Sequence, residues 1–369
     1  MAVIKAFECI RPDEKVADRV AALPYDVYNR EEALKEVERE PLSFLAIDRA
    51  ETQFDSSVDT YADCVYDKAR ELLDSRIADG TFITDTDKAY YVYELTMNGR
   101  TQTGIAACAS IDDYNNNIIK KHENTRADKE QDRINHVDRC SAQTGPIFLA
   151  YRANEVIRNE VAKAKETKPL YSFTSPDGIR HQVYKISNAQ SVENIEKAFA
   201  GIDDIYIADG HHRAASAVKV GLKRREEHPD YTGEEEFNYF LSVLFPDEEL
   251  MIMPYNRVVK DLNGYSKEEF IKKIEEKFEI EESAAAVEPA YKAEFGMYLD
   301  EKWYKLKAKK DILSDDPVDG LDVAILQNNL LEPVLGIYDP KTDKRIDFVG
   351  GIRGPVSYTH LTLPTNSRV

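Results

Sequence analysis

Ile205-Tyr206-Ile207-Ala208-Asp209-Gly210-His211-His212-Arg213-Ala214-Ala215-Ser216-Ala217 reads as a strand, a turn and a helix in direct succession. Ile205 to Ala208 is a short apolar run of strand length, bounded by polar residues. Gly210 lets the backbone turn sharply and lets a ligand approach it closely. Ala214 to Val220 is an Ala-rich helical run, and Gly221 reads as its stop. A helix that starts straight after Gly210 aims its free N–H groups and its positive dipole end into the turn. Arg213 supplies a fork matched to phosphate oxygens. Asp209 suits Mg²⁺, a hard cation that takes oxygen ligands and substrate phosphates. Gly210, His211, His212 and Arg213 are therefore candidate phosphate-binding residues, with Asp209 the candidate metal ligand. Two other readings compete. The histidines can simply cap the helix while Arg213 pairs on the surface. Zinc can sit between both histidines and Asp209, although neighbouring side chains rarely converge on one ion.

The chain around this stretch has 369 residues, enough for two or three domains. No apolar run approaches bilayer length, and the N-terminus lacks a basic-then-apolar leader pattern. Four scattered cysteines with no CxxC pair argue for reduced thiols rather than a disulfide framework. A cytoplasmic protein is expected. The formal net charge of -19 disfavours nucleic acid, which needs a basic stripe. Lys223-Arg224-Arg225 is the one dense basic spot and reads as a solvated helix end. A local basic pocket for a small anion remains compatible with this field.

The expected fold class is mixed α+β, in three regions. Residues 1–85 hold a charged helix from Arg30 to Glu40, stopped at Pro41, and an amphipathic helix over 58–79 that ends at Gly80. The compact Leu23-Pro24-Tyr25-Asp26-Val27 element either turns Asp26 towards a site or is a Pro-fixed corner. Residues 86–245 hold a hairpin, Lys88 to Leu95 and Thr101 to Ile111, around Asn98-Gly99. The apolar run Pro146 to Tyr151, a second hairpin around Ser175-Pro176-Asp177-Gly178 and a helix from Val192 to Phe199 precede the turn. Residues 246–354 open a helix at the capping box Ser266 to Glu269. A hairpin, Phe295 to Asp300 and Trp303 to Ala308, and an amphipathic helix over Leu321 to Leu331 follow. Residues 355–369 stand apart. Val356 to Val369 resembles a translated sequencing-adapter scar, so the natural chain is expected to continue differently past about Gly354, and His360 leaves the candidates.

A second constellation is Lys120-Lys121-His122-Glu123-Asn124-Thr125. Phosphoryl transfer to an alcohol needs a group that orients the hydroxyl and accepts its proton, and Glu123 is the candidate. It can equally be a favourable acid in the first turn of a helix. His122 and Thr125 beside it, with Asp26, are candidates for substrate contact. Glu130, Asp132, Arg133, His136 and Asp138 read as a solvated helical face, with Arg133 kept as a candidate for phosphate.

No Walker A pattern, GxGxxG, nucleophile elbow or HExxH occurs. Pro24-Tyr25-Asp26-Val27, Ser43-Phe44-Leu45, Lys121 to Thr125, Gly145-Pro146-Ile147-Phe148 and Asp209 to Arg213 together resemble the domain-of-unknown-function 1015 family over about residues 1–354. The His122-Glu123 and Asp209 to Arg213 motifs are also similar to those of free-serine kinases. That resemblance implies a ParB/sulfiredoxin-like nucleotide-binding core over 86–245, flanked by N-terminal and C-terminal α+β lobes. It implies phosphoryl transfer from ATP or ADP to free L-serine with Mg²⁺, Glu123 acting as base. Asp209, His211, His212 and Arg213 would form the metal- and phosphate-binding turn, with Asp209 and His211 counted as catalytic beside Glu123. A homodimer is compatible with this reading. A ParB-like nucleotide switch and a metal-dependent phosphohydrolase are the alternatives.

Overall fold

The computed structural model describes residues 1–122, 127–340 and 342–350. Glu123, Asn124, Thr125 and the scar-like tail lie outside the described residues. The chain divides into two compact units, Met1–Leu250 and Met251 onward. The first contains both sequence constellations.

The first unit is built on one nine-stranded mixed sheet. Its strands are β1 (Ile4–Lys5), β2 (Tyr90–Met97), β3 (Arg100–Ser110), β4 (Ile119–Lys120), β5 (Ile147–Tyr151), β6 (Tyr171–Thr174), β7 (Arg180–Ile186), β8 (Ile205–Asp209) and β9 (Tyr239–Pro246). The spatial order is β4-β8-β5-β9-β3-β2-β7-β6, with β1 beside β3. Two pairs, β8 with β4 and β9 with β5, are parallel. The hairpins match expectation because their turns carry the right residues. Asn98 and Gly99, at φ 51° and 79°, both hold the left-handed backbone of a tight two-residue hairpin.

The β8 strand alternates. Ile205 and Ile207 are buried, while Tyr206 is 43% exposed, so the strand is half-buried. The buried pair joins Ile147, Leu149, Phe240 and Leu244 from neighbouring strands. Ala214, Ala217 and Val218 close over them from the helix that follows.

That helix departs from expectation. It runs His211–Glu227, straight through Gly221. Gly221 is a packing residue, since a Cβ there would sit 2.3 Å from the Phe237 carbonyl oxygen and 2.9 Å from Ile111 Cδ1. The first of these atoms is backbone and cannot give way cheaply. Gly221→Ala is expected to destabilise the protein by about 3 kcal/mol in urea unfolding, from overpacking. A gain of about 1 kcal/mol, as helix propensity alone would give, would contradict this packing.

Three helices form the scaffold of the site: α1 (Asp63–Ala78), α2 (Ala127–Cys140) and α3 (His211–Glu227). The expected helix over 58–79 thus starts at Asp63, with turns before it. The stretch read as a solvated charged face is α2, and the reading is overturned. Glu130, Arg133 and His136, three residues apart, share one face and are all buried. Helix α2 packs between α1 and α3. Several of its charges pair across helices. Glu130 pairs with Lys219, and Asp138 takes Lys223 at 2.6 Å and Arg224 at 2.7 Å. Arg225 reaches Asp112 at 2.7 Å. The Lys223-Arg224-Arg225 spot is therefore a set of ion pairs that ties α3 down.

The second unit stands on its own core of Phe270, Ile274, Phe278, Leu306, Ile325 and Ile337. The capping box forms: the Ser266 side chain accepts the Glu269 N–H, and the Glu269 side chain accepts the Ser266 N–H. The helix Lys267–Lys277 follows. Strands Phe278–Ser283, Lys302–Ala308 and Glu294–Leu299 make an antiparallel sheet in that order. The expected single helix over Leu321 to Leu331 is an α-helix, Asp322–Leu326, that widens into a π-helical turn, Gln327–Leu331. Among the described residues no helix is long and apolar enough to cross a membrane.

Candidate functional site

The turn after β8 is assembled by backbone first. Strand β8 pairs with β5, and the register slips between Ile207 and Asp209, so Asp209 stands opposite Phe148. A bulge of this kind re-aims the end of a strand. Gly210 then takes φ 92° and ψ 32°, a left-handed conformation, as the N-cap of α3. A Cβ on Gly210 would lie 3.2 Å from Arg213 Nε, so glycine serves both the turn and the guanidinium. A glycine cap offers no side-chain oxygen to the first N–H groups of the helix, and no acid stands in its first turn. Such a helix start is a natural anion site.

Arg213 is fixed across this start. Its Nη1 donates to the Pro146 carbonyl at 2.6 Å, and its Nη2 donates to Asp209 Oδ2 at 2.7 Å. The Gly145-Pro146 loop thus belongs to the site. Asp209 is the exposed member, at 69% of its side chain, and Arg213 the sheltered one, at 18%. The Asp209 carboxylate, at the open edge of the turn, is a fitting oxygen donor for Mg²⁺, which takes only one or two carboxylates beside phosphate and water. Among the described residues no three His, Cys, Asp or Glu side chains converge as a metal cluster. The two histidines diverge instead. His211 is buried, and His212 points into a separate cavity.

The two constellations meet at His211. The His122 ring lies edge-on to the His211 ring at 4.4 Å and 83°. The His122 N–H donates to His211 Nε2 at 3.5 Å. Residues 89 apart in sequence are thereby neighbours. Glu123 and Thr125 follow His122 but lie outside the described residues.

A cavity of 250 Å³ opens beside His212. Tyr25, Asp26, Asp48, Arg49, Glu51, Asp132, Arg133 and His136 line it. The Tyr25–Val27 element that carries Asp26 is a single 3₁₀ turn. Arg49 Nη1 donates to the carbonyls of Tyr25 and Tyr28, at 3.0 and 2.6 Å. The Arg133 guanidinium stacks 4.1 Å from the centre of the Tyr25 ring and is held by Asp132. Arg133 thus faces the cavity wall, not open solvent. His212 Nδ1 and Asp48 Oδ1 are buried without a hydrogen-bond partner.

Electrostatics set these groups apart. Burial pushes the Asp48 carboxyl up to about 6, against the pull of Arg133. Burial pushes His136 down to about 3, and the Arg133 charge adds to the effect. At neutral pH His136 is therefore uncharged. Its Nε2, 3.6 Å from Asp48 Oδ1, gives that carboxylate no counter-charge.

The cavity joins a groove of 1050 Å³, which shares Tyr25, Asp48, Arg133 and His136 with it. The groove passes Gly145, Pro146 and Arg213 and reaches an aromatic wall of Tyr93, Phe173 and His181. The His181 ring stacks on Phe173 at 5.0 Å and on Tyr93 at 6.0 Å. A groove this size sits at the upper end of small-molecule sites, which run to about 1,000 Å³.

Asp48, Arg49, Asp132 and His136 were not singled out as site residues by sequence. The signal for Asp48 was present, since it is an acid directly after the apolar Leu45-Ala46-Ile47 run. His136 and Asp132 were hidden in a charged stretch that reads as surface.

Sheet, bulge and glycine-capped helix start define a mixed α+β protein with a polar cavity beside the turn. The family model Protein of unknown function (DUF1015) matches residues 4–324, and the chain belongs to that family. No curated protein and no solved structure matches it.

Proposed function

We propose that the protein is a small-molecule kinase that transfers a phosphoryl group from ATP or ADP to the hydroxyl of free L-serine, on a ParB/sulfiredoxin-like core. The observation that carries this is the glycine-capped start of α3 with Arg213 pinned across it, beside a groove large enough for a nucleotide. Donor phosphates lie against the first N–H groups of α3 and the Arg213 guanidinium. The nucleoside extends along the groove towards Tyr93, Phe173 and His181. The acceptor hydroxyl would be presented to Glu123, the residue that follows His122 in sequence. The hydroxyl oxygen forms a bond to the terminal phosphorus while the bond from that phosphorus to its bridging oxygen breaks. The bond pair stays on the departing nucleotide, and the hydroxyl proton goes to Glu123. Mg²⁺ bound at Asp209 would neutralise charge on the phosphate oxygens. Preorganised charge at the turn supplies most of the remaining stabilisation.

The net charge of -19 weighs against the DNA-binding form of a ParB-like switch. Titration calorimetry with ADP and ATP in Mg²⁺ tests the donor site. Saturable binding that Asp209→Asn weakens at least about tenfold is expected, from loss of a metal-held contact. Absence of binding by either nucleotide would end the kinase reading.

A further inference from the structure

The Ser175-Pro176-Asp177-Gly178 turn joins β6 to β7 and begins a chain of hydrogen bonds that ends at Tyr93. Ser175 Oγ donates to Asp177 Oδ1 and to the Ile179 carbonyl, and it lies 2.9 Å from His181 Nε2. His181 Nδ1 lies 2.8 Å from the Tyr93 hydroxyl oxygen. Sheet register brings these side chains together. Phe173 and Leu95 stand opposite His181 on its two neighbouring strands, and Tyr93 is two residues from Leu95, so all four share one face. Tyr93, Phe173, Ser175, Asp177 and His181 all line the 1050 Å³ groove.

The protons in this chain have one consistent arrangement. The Asp177 carboxylate and the Ile179 carbonyl can only accept, so the single hydroxyl hydrogen of Ser175 goes to them. Ser175 Oγ must then accept from His181, which places a hydrogen on Nε2. Burial lowers the His181 pKa, so the ring is uncharged at neutral pH and its Nδ1 is a bare acceptor. Burial pushes the Tyr93 phenol up to about 12, so it keeps its hydrogen and gives it to Nδ1. The Tyr93 oxygen has no second hydrogen to give. To the groove it is an acceptor only.

This part of the groove is therefore aromatic, with a polar atom of fixed character. Phe173, His181 and Tyr93 form a ladder of rings, stacked at 5.0 and 6.0 Å. Such a wall suits a flat ring, and nucleobases stack on aromatic side chains. The oxygen suits a ring that carries an N–H donor on its edge. Adenine offers an exocyclic amine. Hypoxanthine, of the same size, places a carbonyl oxygen there, and two acceptors facing each other leave both unpaired.

We propose that Tyr93 selects adenine as the base of the bound nucleotide, its hydroxyl oxygen accepting the exocyclic N–H. That this base belongs to a phosphate donor rests on the kinase reading; the acceptor character of Tyr93 rests on the hydrogen-bond chain alone. Tyr93 is a specificity-determining residue. His181 and Ser175 are positioning residues that set which way its hydroxyl points.

Calorimetry on the full chain with Mg²⁺ compares ADP with inosine diphosphate. ADP is expected to bind at least about tenfold more tightly, the scale of a hydrogen bond replaced by an unpaired acceptor. Equal binding overturns the proposal. Tyr93→Phe keeps the ring and removes the oxygen, and it is expected to abolish the preference; retention of the preference overturns the proposal. The chain itself is read on the unaltered protein by nitrogen NMR with labelled histidine, which does not depend on how the variant folds. His181 is expected to carry its hydrogen on Nε2 with Nδ1 bare. The opposite tautomer, or a doubly protonated ring at neutral pH, overturns the proposal. An adenine preference in binding with no phosphoryl transfer removes the kinase and keeps the base site. Transfer from both nucleotides with equal binding removes the base site and keeps the kinase.

Discussion

Glu123→Gln is expected to slow phosphoryl transfer about 10³-fold while the affinity for nucleotide changes little, because general base catalysis is worth 10² to 10⁴. Glutamine keeps the size and the hydrogen-bonding reach of glutamate but cannot take up a proton. The loss therefore falls on the chemical step and not on assembly of the site. His122, directly before Glu123 in sequence, lies against His211, in the turn proposed to receive the phosphates. Single-turnover transfer from labelled nucleotide, read beside a binding titration, separates the two effects. A variant with near wild-type turnover would remove Glu123 from the mechanism. One that lost nucleotide binding instead would make it a structural residue of the turn.

Arg213→Ala is expected to cost at least about 10³ in transfer, the scale at which a guanidinium on the transferring phosphoryl group acts. Unlike the glutamate change, it should also weaken nucleotide binding. Arg213 is held by Pro146 at one nitrogen and Asp209 at the other, so its charge is placed before a ligand arrives. Its partner Asp209 is 69% exposed, so the pair contributes little to stability, less than about 1 kcal/mol. Unfolding measurements should therefore show a stable protein with a lost activity. Arg213→Lys should recover part of the affinity, since a point charge remains, but little of the rate, since the fork is gone. A large loss of stability with transfer retained would identify Arg213 as a structural clamp between the Gly145-Pro146 loop and α3.

What could be read from the sequence follows from how local each signal is. Asn98-Gly99 and the Ser266 to Glu269 box encode their own backbone, and both appear as expected. The strand, glycine and helix of Ile205 to Ala217 are equally local, so the turn is legible down to its N-cap. Gly221 misled because a helix-stop glycine and a close-packing glycine look alike until Phe237 and Ile111 are placed beside it. Arg133 and His136 misled for a related reason. A run of charges is solvated only if nothing covers it, and here α1 and α3 do. The meeting of His122 with His211 depends on β4 lying parallel to β8 at the sheet edge, a pairing that no short motif encodes. Asp48 and its cavity come from residues drawn from five separate stretches, between Tyr25 and His212.

The most direct measurement is phosphorus NMR of the protein with Mg²⁺, ATP or ADP, and a panel of hydroxy amino acids. The account predicts a new phosphomonoester resonance with L-serine, formed as one donor phosphate disappears and absent when protein or Mg²⁺ is left out. An unchanged nucleotide spectrum, or release of inorganic phosphate with no phosphomonoester from any acceptor, would contradict it.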